Sequence, residues 1–126
     1  MKIFIPSTGS GPESKIDANF GRCVFFLLYE TDSKTISIYE NPHRNEQESV
    51  GIAVANEAIR LGADTVITVN LGPNAYFAFA EKNITVYRAT ENMSIRKAVD
   101  AMLAGKLDTI KYSADMRKNR YQLSLN

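Results

Sequence analysis

The run Cys23-Val24-Phe25-Phe26-Leu27-Leu28-Tyr29, the turn Thr31-Asp32-Ser33-Lys34 and the run Thr35-Ile36-Ser37-Ile38-Tyr39-Glu40 together decide the architecture of this chain. The first run is apolar on both faces, as a strand inside a covered sheet must be. The last alternates apolar and polar residues, the period of a strand with one covered face. With only turn formers between them, the two runs pair back as an antiparallel hairpin.

Outward from the hairpin, Ile3 to Ile5 form a short apolar strand stopped by Pro6. The loop Ser7-Thr8-Gly9-Ser10-Gly11-Pro12 follows, rich in turn formers that cannot prolong it. From about Ser49 to Leu61 the period is helical. Val50, Val54, Ala58 and Leu61 share one stripe, Ser49 suits the N-cap and Gly62 the C′ position. Thr65-Val66-Ile67-Thr68-Val69 is a buried β-branched strand. Gly72-Pro73-Asn74 opens a second helix, with Asn83 as its left-handed stop. Ile84-Thr85-Val86-Tyr87 is the last strand. Ser94 caps a third helix whose inner face is Ile95, Val99, Met102 and Leu103 and which ends at Gly105. Residues 1–107 thus read as one domain and residues 108–126 as a polar C-terminal tail, with Arg117-Lys118-Asn119-Arg120 a solvated end.

The order β-β-β-α-β-α-β-α restricts the topology. Later strand–helix–strand units need right-handed crossovers between parallel strands. If the second strand also runs antiparallel to the first, the five strands take the order 3-2-1-4-5. Helices cover both faces, giving a three-layer α/β/α fold with a five-stranded mixed sheet.

Composition narrows the function. The 126 residues are 44% hydrophobic and 23% charged, the balance of a soluble globular chain. Fifteen Lys and Arg against fourteen Asp and Glu leave a net charge of +1, without the broad positive field of a nucleic-acid binder. The lone cysteine, Cys23, excludes a disulfide framework and any Cys-rich metal site built by one chain. No apolar run approaches the roughly 20 residues that span a bilayer, and the first six residues are too short for a signal-peptide core. A cytoplasmic protein without a membrane partner is expected.

The inferred sheet gathers several loops on one edge: Ser7, Thr8 and Gly9 after strand one, Asn41, Pro42 and His43 after strand three, and Gly72, Pro73 and Asn74 after strand four. Strand two runs backwards, so Phe20, Gly21, Arg22 and Cys23 join them. Open α/β sheets bind ligands at such an edge. Each member has two readings. Cys23 is either a small buried hydrophobe or a ligand whose thiol pKa, ordinarily about 8.5, is lowered by the neighbouring Arg22. His43 is either a surface histidine or a second metal ligand. Arg22 either serves the site or pairs with Asp17 or Glu13. Ser7 to Gly11 resembles a phosphate-cradling loop but lacks the Walker lysine and the dinucleotide spacing. Gly72-Pro73-Asn74 either merely starts a helix or offers N–H groups and a positive dipole end to an anion. No residue stands out to orient a Cys–His pair, and the carboxylates at strand ends are too few for metal-assisted hydrolysis, so no catalytic residue is expected. A metal-free small-molecule or nucleotide-binding regulatory module, and a nuclease suggested by fold analogy alone, remain as alternatives.

Ile5-Pro6-Ser7-Thr8-Gly9, Asp17-Ala18-Asn19-Phe20-Gly21-Arg22-Cys23, Gly72-Pro73-Asn74-Ala75 and Ala104-Gly105-Lys106-Leu107 resemble the dinitrogenase iron–molybdenum cofactor biosynthesis family, in order, over about residues 1 to 107. The resemblance implies a ribonuclease H-like three-layer fold and a small stand-alone carrier, not an enzyme. Such a carrier binds an iron–sulfur cluster, the iron–molybdenum cofactor or its precursor, and exchanges it with cluster-donating and cluster-accepting proteins. It further implies Cys23 and His43 as metal ligands, with Ser7, Thr8, Gly9, Gly21, Arg22, Gly72, Pro73 and Asn74 around the cofactor. A monomer is expected, or a homodimer sharing one cluster between two Cys23 thiolates. Where many relatives start the first helix with a His-Gly-Ala-Gly-like sequence, this chain reads Glu48-Ser49-Val50-Gly51.

Overall fold

The structure is a computed structural model that describes residues 1–113. Five strands form one sheet, β1 (Lys2–Ser7), β2 (Phe25–Glu30), β3 (Thr35–Glu40), β4 (Thr65–Thr68) and β5 (Thr85–Arg88), in the order β3-β2-β1-β4-β5. β2 is antiparallel to both β1 and β3, while β4 is parallel to β1 and β5, so the topology is the one expected. Helices α1 (Val50–Arg60), α2 (Pro73–Glu81) and α3 (Ile95–Leu103) complete the chain order.

Alternation along the strands sends successive side chains to opposite faces, and each face has its own core. On one side Phe4, Phe26 and Val66 meet Val54, Ala55 and Ala58 of α1 and Ala75 and Phe79 of α2. Aromatic rings knit this layer, Phe4 lying 4.9 Å from Phe26 and Phe20 edge-on to Phe79 at 5.8 Å. On the other side Ile3, Ile5, Leu27 and Ile67 pack under Ile95, Ala98, Val99 and Met102 of α3. Two helices therefore cover one face and a single helix covers the other.

Several boundaries differ from expectation for identifiable reasons. β1 runs through Pro6 to Ser7 because residues 15–17 flank it there. That segment takes a hydrogen bond from Thr8 N–H at Lys15 O and donates one from Asp17 N–H to Pro6 O, and it needs no N–H from proline. Ser49 is not a side-chain cap. Its φ of 59° and ψ of 28° are left-handed, and it makes no capping bond. Ser94 does cap α3, accepting from Lys97 N–H, and Asn83, Gly62 and Gly105 take the positive φ their helix ends require. Leu103, expected on the inner face of α3, is 54% exposed.

The domain also continues past residue 107. Arg88 N–H donates to Asp108 O, Ile110 N–H donates to Val86 O, Thr109 bridges Tyr87, and Ile110 is buried. Residues 108–113 thus cover the outer edge of β5 rather than forming a tail. Arg117-Lys118-Asn119-Arg120 lies outside the described residues.

Candidate functional site: a cleft between two helix starts

A cleft of about 790 Å³ opens where α1 and α2 begin side by side. Its walls are Ser49 to Ile52 from α1, Leu71 to Ala75 from the start of α2, and Ala18 to Gly21 from the loop before β2, with Asn70, Arg88 and Tyr112 around the rim. The first N–H groups of a helix have no partner within it. Here neither start carries a side-chain cap: Ser49 makes none, and Gly72, the residue before Pro73, has no side chain to make one. The first intrahelical amides to find acceptors are Ala53 N–H, on Ser49 O, and Tyr76 N–H, on Gly72 O. Ahead of them, Val50, Gly51 and Ile52 and Asn74 and Ala75 line the cleft with amides that have no acceptor within their own helix.

Local packing explains why two helix starts can come so close. A Cβ on Gly51 would meet Ala75 Cβ at 3.9 Å, an ordinary van der Waals contact, so small residues face each other across the seam. A Cβ on Gly21 would sit 2.7 Å from Val50 Cγ2 and 2.8 Å from Gly51 N. The loop before β2 therefore presses directly on the first turn of α1, and only glycine permits it. Asn41 fixes that loop from below, donating to Gly21 O at 2.9 Å and Cys23 O at 3.0 Å. The rim is tied in the same way. Asn70 donates to Ala18 O, Arg88 Nη1 to Val69 O at 3.0 Å, and Tyr112 Oη to Leu71 O at 2.7 Å. Among the described residues, Arg88 is the one charged member of the lining, and no carboxylate lines it. Uncapped amides, two positive dipole ends and a guanidinium together give the cleft a chemistry that favours anions.

Of the residues expected around a cofactor, Gly21, Gly72, Pro73 and Asn74 do line this cleft. Others do not. Ser7 Oγ is engaged with its own loop, donating to Gly9 O and accepting from Gly9 N–H, and Thr8 Oγ1 donates to Lys15 O. Ser7, Thr8 and Gly9 are thus satisfied against residues 14 and 15, where a Cβ on Gly9 would strike Ser14 Oγ. Arg22 turns to the loop after β3, donating to Arg44 O at 2.9 Å and Gln47 O at 3.5 Å, and not to Asp17. Glu13 pairs instead with Arg96.

The expectation of a thiolate at the rim requires correction. Cys23 is fully buried in the core shared by α1 and α2, with Asn41 Nδ2 3.7 Å from Sγ. Burial pushes its thiol up to about 12, with Asp17 adding to the effect, so the sulfur is protonated and faces no ligand space. Arg22 does not lower it. His43 likewise is occupied: Nδ1 meets Glu46 at 2.8 Å and Nε2 meets Glu57 at 3.4 Å, and Arg60 holds the second oxygen of Glu57 at 2.6 Å. Hydrogen bonding to Glu46, then to Glu57, raises the His43 pKa, while Arg60, then His43, lowers that of Glu57. This cluster braces the loop after β3 against α1. No group of three His, Cys, Asp or Glu residues able to hold a metal ion occurs among the described residues.

Sequence reasoning passed over Ser49 to Ile52, Asn70, Arg88 and Tyr112. The departure at Glu48-Ser49-Val50-Gly51 was the available signal for the first of these. Nothing local marks Arg88 or Tyr112, which reach the rim through tertiary packing.

This fold and cleft define a small three-layer α/β protein with an open mouth between two helix starts. The family model for the dinitrogenase iron–molybdenum cofactor matches residues 1–105, and the chain belongs to that family. An uncharacterized protein of Methanocaldococcus jannaschii is 33% identical over 111 residues, 86% of this chain and 90% of that relative. Among solved structures, a NifB-like protein from Thermotoga, of the DUF35 family, superposes with a TM-score of 0.76 at 26% identity, covering 89% of this chain and 96% of that one. The apo form of the orange protein from Desulfovibrio gigas shares the fold with a TM-score of 0.82 at 24% identity, over 86% and 92% of the two chains.

Proposed function

We infer that this protein is a non-enzymatic carrier that receives an anionic metal–sulfur cluster, the iron–molybdenum cofactor or a precursor, in the cleft between α1 and α2. The observation behind this reading is the cleft: two helix starts without side-chain caps and Arg88 line a space of about 790 Å³, with no carboxylate among the described lining residues. Each dipole end favours an anion by about 0.3–1 kcal/mol at an exposed surface and by more where water is excluded. A preassembled cluster brings its own sulfides, which accept hydrogen bonds from amides, so it needs no sulfur from Cys23. Family membership supports the class of cargo. Cargo held in this way is exchangeable, which suits a protein standing between cluster-donating and cluster-accepting partners.

Anaerobic loading of the full chain with isolated iron–molybdenum cofactor, followed by desalting and visible spectroscopy, tests this reading. Wild type and Cys23→Ala are expected to retain the cluster's absorption, and Arg88→Gln to retain several-fold less. Loss on Cys23→Ala with no change on Arg88→Gln would return the sulfur to the site and remove the cleft from it. Burial of Cys23 favours a second reading, a metal-free module for a small anionic ligand in the same cleft. Amide shifts at Gly51 and Asn74 on adding inorganic phosphate or a nucleotide, with no cluster retained, would select it.

A further inference from the structure

The two margins of the sheet are treated differently. β5 is covered by residues 108–110, whereas β3 carries no covering segment among the described residues. Asn41 N–H donates to Val24 O just beyond the end of β3. Alternation along an antiparallel ladder then directs the N–H and C=O groups of Ile36, Ile38 and Glu40 away from β2, toward the open margin. Natural sheets blunt such margins with proline, bulges or mid-strand charge. Residues 35–39 have none of these, and Ile38 at the centre is 43% exposed.

We propose that β3 is the interface for a second copy of this chain, the two β3 strands pairing antiparallel across a two-fold axis through Ser37 to give a continuous ten-stranded sheet. The sequence is self-complementary in this register. Ile36 lies opposite the partner's Ile38, and Lys34, at the end of the hairpin turn, lies beside the partner's Glu40, each contact occurring twice. Parity agrees as well: the residues that meet as hydrogen-bonded pairs are the even-numbered ones, whose backbone groups point outward. Cross-strand apolar and opposite-charge pairs of this kind are what stabilise one register over another. The margin is short, so the dimer belongs to the weak, concentration-dependent class. This inference is independent of what the cleft carries.

Sedimentation equilibrium of the full chain up to about 100 µM tests it, a range suited to a weak interface. A shift from the 14.0 kDa chain toward twice that mass is expected. Ile38→Lys and Glu40→Lys should each weaken association at least tenfold without altering the far-ultraviolet spectrum. Lys34→Glu combined with Glu40→Lys should restore it. A single-chain mass across the range, or a dimer indifferent to these substitutions, overturns the proposal.

Discussion

Cys23 and His43 look alike in the sequence, as the only representatives of two ligand-forming residue types, yet each is held away from the cleft by specific neighbours. The thiol of Cys23 sits at zero exposure with its pKa pushed up to about 12. Iodoacetamide at about pH 8 should therefore leave the native chain unmodified and label it promptly in denaturant, since only the thiolate reacts. Mass spectrometry reads this directly, and fast native labelling would contradict the buried placement. His43 gives a pH dependence of definite sign. Its folded pKa is raised above 6.5, so the stability from its pairing with Glu46 and Glu57 is complete below 6.5 and is lost as pH rises through the raised value. Glu57 is lowered from 4.5, so its share is complete above 4.5 and is lost as pH falls through the lowered value. The difference in melting temperature between wild type and His43→Gln should thus be largest between those limits and shrink toward alkaline pH. A difference that stays constant across that series would mean that the ring acts by shape alone.

At the level of elements, the segment after α3 has most to say. Ile110 is buried against β5 and holds Tyr112 within reach of Leu71 O. Ile110→Ala should cost about 2–4 kcal/mol, the range for truncating a buried aliphatic side chain, and lower the midpoint of urea unfolding. A cost near zero would mean that residues 108–113 are not part of the core. The strands, helices and sheet order were legible because each rests on local periodicity or a turn residue: the two-sided run at 25–29, Pro73, Asn83, Ser94 and Gly105. The closing segment was not legible, because Asp108-Thr109-Ile110-Lys111-Tyr112 is too polar to look like core until β5 is beside it. The helix starts at Gly72 and near Ser49 could be read, but the cleft they form could not, since it also needs Gly21 to bring its backbone against the first turn of α1, a tertiary contact. Loop convergence inferred from strand direction correctly brought Gly21 and Gly72 to one place. It failed for Ser7 to Gly9 because residues 12–16 fold back onto that loop and satisfy it locally.

For the whole molecule, the two faces of the sheet have unequal cover, and the cleft lies on the side with two helices. Joining two copies along β3 about a perpendicular two-fold reverses the strand direction across the seam. The two mouths then open at opposite ends of the assembly, and neither copy contributes to the other's lining. A cluster divided between paired thiolates has no place in such an arrangement, and under the proposed function each copy would load by itself. The sealed sulfur carries the idea further. Transfer by ligand exchange proceeds when an incoming donor atom displaces a covalent tether, and it slows or quickens with thiol chemistry. Cargo resting on amides and a guanidinium has no tether to cut, so its departure would respond to competing anions and ionic strength and be indifferent to thiol-alkylating agents.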